Sequence, residues 1–407
     1  MSLSNITLSS AVRQNLLSLQ GTAELLAQTQ GRLATGKKVN SALDNPTNFF
    51  TAAGLDARAS DISNLLDSIG NGVQVLQAAN TGITSLSNLV DTAKSIANQV
   101  LQQPVGYSTK ASATSAAPTG AGPLSVAGSV TDLTNGGANS LQGETFIFQG
   151  ATGSPVTITV DKAGVNSITA FNTALTNAGL GLTASLASNG SITLTSSNDN
   201  ASQTLTLGTT AAANNIALSG TATLALVAAG APVADPVSQA TRASLVAQYN
   251  QILTQITTTA QDSSFNGVNL LNGDSLKLVF DETGKSSVSI TGVTFDPTGL
   301  GLHSLTAGSD FIDTNSANSV LTALNTASVT LRSQASAFGA NLSIVQIRQD
   351  FNKNLINVLQ TGSSNLTLAD SNEEAANSQA LATRQSIATS ALALANQSQQ
   401  NVLQLLR

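Results

Sequence analysis

The sequence predicts an α+β, multidomain fold in which long, antiparallel, coiled-coil-like helical arms from both termini flank a small β-hairpin and an inserted β-rich domain. The first observation behind this prediction is where proline and glycine lie. Six of the eight prolines and sixteen of the 32 glycines fall within residues 104–239, a third of the chain. Because proline costs ~3 kcal/mol in a helix interior and glycine also weakens helices, long helices are expected only outside this segment. The second observation is that apolar residues outside it recur at steps of three and four.

The first arm carries the longest apolar stripe, which runs in strict steps of four and three. Its members are Leu55, Ala59, Ile62, Leu66, Ile69, Val73, Leu76, Asn80, Ile83, Ser87, Val90, Lys94, Ala97 and Leu101. A helix over these positions would be about 70 Å long at 1.5 Å rise per residue. That length favours a coiled-coil seam, although separate core helices of one globular bundle would show the same periodicity.

The second arm has a matching stripe near the C-terminal end of the chain. Its members are Leu321, Leu324, Ser328, Leu331, Ala335, Phe338, Leu342, Val345, Gln349, Asn352, Ile356 and Leu359. A shorter stripe predicts a third helix, with Leu245, Tyr249, Ile252 and Ile256 on one face.

The two chain ends repeat this spacing with very little charge. One stripe contains Val12, Leu16, Leu19, Ala23, Leu26, Gln30 and Leu33, and the other Ala388, Leu392, Ala395, Gln399, Val402 and Leu406. Ordinary coiled coils place Glu and Lys beside the seam, whereas Arg384 is the only charged residue between 375 and 406. Neighbours can surround such helices without desolvating charges, which would be costly. We therefore expect both ends to be ordered and buried only in an assembly. The residues expected to carry self-assembly are Val12, Leu16, Leu19, Leu26, Leu33, Leu392, Val402 and Leu406.

The inserted segment has the sequence pattern of β-structure. Residues 145–148, 156–160 and 191–195 concentrate β-forming residues between turn residues, and 168–178 predicts a short helix. Outside the insertion, residues 276–280 and 287–290 flank a turn and predict a hairpin.

Composition argues against several classes of function. With one histidine, His303, and no cysteine, the chain lacks the ligands for structural zinc, iron–sulfur or thiolate-haem centres and the nucleophile for thiol chemistry, so no metal or cofactor is expected. A net charge of −6 argues against nucleic-acid binding. No stretch approaches ~20 apolar residues, so membrane insertion is not expected, and no cleavable signal peptide is visible.

No motif predicts a catalytic site. No serine lies in a Gly-x-Ser-x-Gly nucleophile elbow that could use His303 as its general base. We therefore expect His303 to be structural or solvent-exposed. The acidic run 370–374 lacks the spacing of an EF-hand, and the alternative is a helix N-terminus capped by Asp370 or Ser371. The sequence Gly-Lys-Ser at 284–286 lacks the first glycine of a phosphate-binding loop. The chain is therefore not expected to be an enzyme.

Four motifs together resemble those of bacterial flagellins. They are GRLATGKKVNSALDNP at 31–46, SFNGVNLLNG at 264–273, FGANLSIVQIR at 338–348 and ALANQSQQNVLQLL at 393–406. The similarity covers roughly residues 1–103 and 240–407, and residues 156–195 are similar to an accessory motif of some variable flagellin regions. The variable domain falls after the first long helix, as in a divergent branch of the family.

The resemblance implies a subunit of the flagellar filament for swimming or swarming. Residues 1–40 with 370–407 would form the inner helical core, and residues 41–103 with 240–369, including the hairpin 274–302, the surrounding rod. Residues 104–239 would be the variable surface domain. The chain would be exported by the type III pathway without a cleaved signal and would polymerise outside the cell. Its partners would be itself, hook-associated and cap proteins, and an export chaperone on the C-terminal helix.

The resemblance also identifies positions equivalent to a patch by which some flagellins engage a vertebrate innate receptor. These positions are Lys94, Ile96 and Gln99. Because the residue types differ from the Arg-Glu-Leu-Ala-x-Gln pattern, we expect weak or no activation of that receptor.

Two other functions are consistent with the sequence. The hook–filament junction protein resembles flagellin at both ends, and copy number distinguishes it from the filament subunit. A flagellin-like surface protein could bind polysaccharide through the inserted domain, although the few aromatic residues count against it because sugar sites favour stacking rings.

Overall fold

The computed structural model describes residues 10–116, 133–134, 141–150, 153–187, 191–212, 215–220 and 226–405. Its helices are α1 (Ser10–Thr35), α2 (Pro46–Gln102), α3 (Ile168–Asn177), α4 (Pro236–Asp262), α5 (Thr314–Thr367) and α6 (Ser371–Leu405). Its strands are β1 (Tyr107–Thr109), β2 (Ser112–Ser115), β3 (Thr145–Gln149), β4 (Val156–Thr159), β5 (Leu182–Leu186), β6 (Ile192–Ser196), β7 (Thr204–Leu207), β8 (Asn215–Gly220), β9 (Leu226–Gly230), β10 (Val233–Ala234), β11 (Ser275–Val279) and β12 (Ser287–Thr291). This architecture confirms the predicted fold class.

The chain divides into two compact units. The first comprises Met1–Val73, Lys277–Ser289 and Leu342–Arg407, and the second Gln74–Leu276 and Ile290–Asn341. The two long helices, α2 and α5, each contribute to both units.

In the first unit, α2 packs against α5 through the predicted apolar seam. Ala59 and Ile62 of α2 form a buried cluster with Leu359 of α5. The turn between β11 and β12 contacts both helices, because Asn352 of α5 donates a hydrogen bond to the carbonyl of Phe280 at 2.9 Å and Arg58 of α2 forms an ion pair with Glu282 at 2.6 Å. All twelve predicted positions of the α5 stripe are buried or half-buried, and in α2 all but Asn80 are. The 3–4 spacing therefore identified the packed face of both arms.

In the second unit, α4 is the predicted third helix and buries Tyr249 completely. Its C-terminal end is held by Asn269, whose amide donates to the carbonyls of Ala260 and Gln261, each at 2.8 Å. These bonds satisfy carbonyls that the helix end leaves without intrahelical partners. The motif containing Asn269 thus stops α4 and turns the chain toward β11.

The inserted domain consists of two four-stranded sheets with helix α3 packed on their core. The strand orders are β5-β6-β2-β9 and β4-β3-β8-β7, antiparallel except for the β7–β8 pair. Phe146, Phe148 and Phe171 lie in the shared core, and the rings of Phe146 and Phe171 meet edge-to-face at 4.9 Å. The predicted strands at β3, β4 and β6, the helix α3 and the β11–β12 hairpin are all confirmed.

Candidate assembly surface

The two chain ends pair as antiparallel helices, and a short two-strand bridge at their base holds them together. Helix α1 ends at Thr35, and Gly36 follows with φ +65°, a left-handed conformation that glycine adopts without strain. Lys37 then pairs with Leu368 as an isolated antiparallel bridge. The amide of Lys38 donates to the carbonyl of Thr367 at 2.8 Å, closing the base of the helix pair.

The turn that follows this bridge is organised by Asp44. Its carboxylate accepts hydrogen bonds from the amides of Asn40 at 3.0 Å and Ser41 at 2.8 Å. The backbone hydrogen bonds from Ser41 and Asn40 lower the pKa of Asp44 below its usual value. Asn45 then caps α2 by accepting from the amide of Asn48 at 3.0 Å.

The acidic run at 370–374 forms the start of α6. Asp370 accepts hydrogen bonds from the amides of Asn372 at 2.9 Å and Glu373 at 3.3 Å, which identifies Asp370 as the N-cap. Glu374 forms an ion pair with Arg32 of α1 at 3.2 Å. Its carboxylate therefore both complements the helix dipole and fixes α6 against α1.

The faces that α1 and α6 turn toward each other follow a regular heptad spacing. On α1 the buried or half-buried positions include Val12, Asn15, Leu19, Thr22, Leu26 and Thr29. On α6 they are Glu374, Ser378, Leu381, Gln385, Ala388, Leu392 and Ala395. Among the described side chains of this seam, small and polar groups predominate; Val12, Thr29 and Glu374 are buried and the others are half-buried. The pair is thus closed at its base and thinly packed along its length.

The outward faces of the same two helices expose large apolar side chains. The exposed fractions are 68 % for Leu17, 52 % for Leu25, 63 % for Ile387 and 69 % for Leu394. Each of the two helices carries only three charged residues, which are Arg13, Glu24 and Arg32 on α1 and Glu373, Glu374 and Arg384 on α6. Exposed apolar surface with so little charge is typical of an interaction site.

Helix α5 also exposes large apolar side chains within the first unit. On α5, Ile347, Phe351 and Val358 are more than half exposed at steps of four and seven residues. Their spacing places them on one helix face, away from the seam with α2.

The predicted assembly residues divide between the two faces. Val12 is buried and Leu19, Leu26 and Leu392 are half-buried in the seam of α1 and α6, whereas Leu16 and Leu33 are exposed. The remaining two predictions, the side chain of Val402 and the residue Leu406, lie outside the described residues.

Helices α1 and α6 pair within a single chain, and the bridge at 37 and 368 and the Arg32–Glu374 ion pair join their bases. The expectation that both ends become ordered and buried only in an assembly stays a prediction.

The apolar stripes predicted from the sequence do not include the outward residues Leu17, Leu25, Ile387 and Leu394. The heptad step between Ile387 and Leu394 was a signal that could have identified the second apolar face of α6.

The three positions equivalent to the receptor patch lie on α2. Lys94 pairs with Asp91 at 3.5 Å, Ile96 is buried, and Gln99 is exposed. Weak or absent receptor activation stays a prediction.

The structure also bears on His303, on possible metal sites and on membrane-spanning helices. His303 is exposed to solvent. Across the part of the chain that the structure describes, no three His, Cys, Asp or Glu side chains come together as a metal site. The described helices include none with the length and apolar character needed to cross a bilayer.

A chain that pairs its two ends as nearly uncharged helices and carries a β-domain between its arms is a structural protein built from two terminal helical regions. Comparison with known families agrees. The bacterial flagellin N-terminal helical region matches residues 4–117, and the bacterial flagellin C-terminal helical region matches residues 321–406. Both terminal regions of the chain are therefore similar to those of the bacterial flagellins.

Individual relatives support the same assignment. Flagellin FljM of Caulobacter vibrioides is 32 % identical over 165 residues, which is 40 % of this chain and 59 % of the relative. Flagellin FljO of the same organism is 30 % identical over 172 residues, 42 % of this chain and 62 % of the relative. The aligned residues thus span about three-fifths of the length of these curated relatives.

Proposed function

We propose that this chain is a structural subunit that self-assembles into the bacterial flagellar filament and serves swimming or swarming motility. The observation that carries the proposal is the exposure of large apolar side chains on the outward faces of both terminal helices, Leu17 and Leu25 on α1 and Ile387 and Leu394 on α6. We refer to these four residues on the two helices as the outer face. The similarity to flagellin regions supports the proposal, because the two matched regions are the ones that contain α1 and α6.

Burial of the outer face would contribute to the driving force for assembly. Burying a Leu or Ile side chain fully contributes about 1.5–3 kcal/mol. Because α1 and α6 each carry only three charged residues, neighbouring subunits can cover the outer face while desolvating few charges. The helix pair has a fixed base, so assembly does not have to supply the whole cost of ordering both ends.

The remaining parts of the proposal concern location and partners. The filament would lie outside the cell, and the subunit would reach it without a cleaved signal peptide. Hook-associated and cap proteins would contact the chain at the ends of the filament, and an export chaperone would cover the apolar face of α6 beforehand. The chain would have no enzymatic activity, since filament formation uses only noncovalent contacts.

A charge-insertion experiment tests the proposal. The double variant Leu17→Glu with Leu394→Glu places two carboxylates on the outer face, where assembly would bury them at high cost. We expect the concentration needed for filament formation to rise at least about 100-fold, equivalent to about 2.7 kcal/mol. Electron microscopy and sedimentation after salting-out provide the measurement.

The matched control is Val237→Glu, which changes a similarly exposed apolar residue at the start of α4. The control should form filaments at the concentration of the unmodified chain. Circular dichroism should show unchanged helix content in both variants, because all three positions are exposed. Normal filaments from the double variant would contradict the proposal.

A further inference from the structure

The inserted domain is joined to helices α2 and α4 at a buried polar cluster. The two chain connections run side by side there. The outgoing connection leaves α2, passes Gly106 and enters β1, and the returning connection leaves β10 and enters α4 through Asp235. Strands β1 and β10 are antiparallel, and the amide of Asp235 donates to the carbonyl of Gly106 at 3.0 Å.

Arg242 of α4 links the outgoing connection, at Pro104, to a third segment of the chain, residues 311–315. Its guanidinium donates to the carbonyl of Pro104 at 3.0 Å and to the carbonyl of Phe311 at 2.8 Å. The residue is 2 % exposed, and its Nε has no hydrogen-bond acceptor among the described residues. Burial lowers the pKa of Arg242, and the negative charge of Asp313 opposes that effect. A charge is placed so deeply only where fixed acceptors compensate its lost hydration.

The segment that Arg242 reaches is itself held in an unusual conformation. Phe311 has φ +56°, which is uncommon for a residue with a side chain. Its ring is fully buried and meets Tyr249 edge-to-face at 5.9 Å. Such backbone strain persists where surrounding contacts over-determine the conformation, as the Arg242 bond and the ring contact do here.

Gln239, one turn before Arg242, makes a second cross-connection. Its side-chain amide donates to the carbonyl of Gly106 at 2.7 Å and to that of Ile312 at 3.3 Å. A Cβ atom on Gly106 would collide with the Gln239 amide and lie 2.7 Å from the Ile312 carbonyl oxygen. Glycine is therefore required here by close approach of the segments.

Asp313 ties the same segment to the inserted domain from the other side. Its carboxylate accepts from the hydroxyl of Ser202 at 2.6 Å, and it is 4 % exposed. Next to it, the amide of Asn315 donates to the carbonyl of Asp199 at 2.9 Å. The inserted domain is thus bonded to residues 311–315 at points far apart in its own sequence.

We propose that Arg242, Gln239 and Asp313 form a lock that fixes the inserted domain to the 311–315 segment, so that the domain is carried rigidly and does not swing on its two connections. Two hinge-like strands alone would leave the domain free to rotate. The lock adds a third segment and several charge-assisted hydrogen bonds, which are stronger than neutral ones. This inference does not depend on filament formation, since every contact lies within one unit of a single chain.

Hydrogen–deuterium exchange on the full chain tests the lock. The variant Arg242→Met leaves the carbonyls of Pro104 and Phe311 without their donor. We expect exchange in peptides covering 104–109, 231–235 and 311–316 to accelerate at least tenfold. Peptides covering β3 and α3, in the core of the inserted domain, should change less than twofold.

The matched control is Arg332→Met, which removes an exposed arginine from α5 and should leave all these peptides unchanged. Exchange in Arg242→Met equal to this control would overturn the proposal. Equal acceleration in the β3 and α3 peptides would also overturn it, because Arg242 would then support folding of the inserted domain in general. If Arg242→Met does not fold, the same comparison is made on Arg242→Lys, whose single ammonium cannot reproduce the fork between two carbonyls.

Discussion

The terminal helix pair and the inserted domain bury their apolar residues in opposite ways. The inserted domain encloses Phe146, Phe148 and Phe171 almost completely within its own sheets and helix. The terminal pair has a seam that is mostly half-buried, and it leaves the outer face exposed. The first region therefore buries its aromatic side chains within a single chain, whereas the second leaves large apolar side chains that other molecules can bury.

The difference shows that little charge has different consequences in the two regions. In the inserted domain, alternating small apolar and Thr residues let two sheets close over a core, so surface charge is not needed for stability. In the terminal pair, the small number of charges keeps the outer face compatible with a protein neighbour. Composition alone does not distinguish these cases, but the location of the aromatic residues does.

The largest effects on filament formation are expected when one of the two regions is removed at a time. Deleting residues 375–407 takes away most of α6 and half of the outer face, and we expect complete loss of filament formation. Replacing residues 110–232 by a short glycine-containing turn should preserve it. The replacement is feasible because Thr109 and Val233 are paired neighbours across β1 and β10. Sedimentation and electron microscopy measure both outcomes.

Circular dichroism provides the control for both deletions. Each shortened chain should retain the helix content of α2, α4 and α5. Filament formation by the chain that lacks residues 375–407 would contradict the role of α6 in assembly. Loss of filament formation when residues 110–232 are replaced would show that the inserted domain is needed for assembly.

A substitution in the core of the inserted domain tests the same comparison with a smaller expected effect than the deletions. Phe171→Ala removes a fully buried ring that contacts Phe146, and such changes cost about 3–5 kcal/mol. We expect the inserted domain to unfold at a lower temperature, while the filament-forming concentration changes less than twofold. Calorimetry of the monomer and sedimentation of the polymer measure the two quantities.

The matched control for this substitution is Ile147→Ala, on the opposite face of β3, where the side chain is more exposed. It should lower the unfolding temperature far less. Parallel losses of domain stability and filament formation in Phe171→Ala would show that the inserted domain is part of the assembly machinery.

Much of this architecture was predictable because its signals are local. The α2 and α5 seams, helix α3 and the β11–β12 hairpin each follow from spacing or turn chemistry within one segment. Strands β1, β2 and β5 and strands β7 to β10 were not predicted. They consist largely of Thr, Ala, Ser and short apolar groups, and several pair over long distances, as when β1 meets β10. Such pairing is decided by tertiary contacts more than by β-propensity.

The assembly surface was predictable only in part, for a geometric reason. The stripe from Val12 to Leu33 mixes residues of both faces, since Leu16 and Leu19 are neighbours in a 3–4 pattern yet differ in exposure. On a helix with apolar residues on two sides, spacing cannot decide which side meets the partner helix. The lock around Arg242 gave no sequence signal, because its acceptors are backbone carbonyls of Pro104 and Phe311.

The smallest predicted effect concerns pH and the base of the terminal pair. The backbone hydrogen bonds from Ser41 and Asn40 hold the pKa of Asp44 below its usual value. A carboxyl group with a depressed pKa in the folded state contributes stability that is fully present above its unfolded pKa. That contribution is lost as the pH falls through the lower, folded pKa. Acid should therefore loosen the turn at Asp44 only below about pH 4, the unperturbed range for Asp.

Comparing Asp44→Asn with the unmodified chain isolates this contribution. The difference in unfolding temperature, followed by circular dichroism on dilute monomer, should be constant above about pH 5 and shrink as the pH falls below about 4, because protonation of Asp44 removes its advantage over Asn. The control Asp56→Asn changes an exposed carboxylate on α2 and should show no such narrowing. A difference that grows as the pH falls would contradict the assigned sign. The effect is expected to be small because Asp44 is exposed to solvent, which places it below the core substitution and far below the deletions.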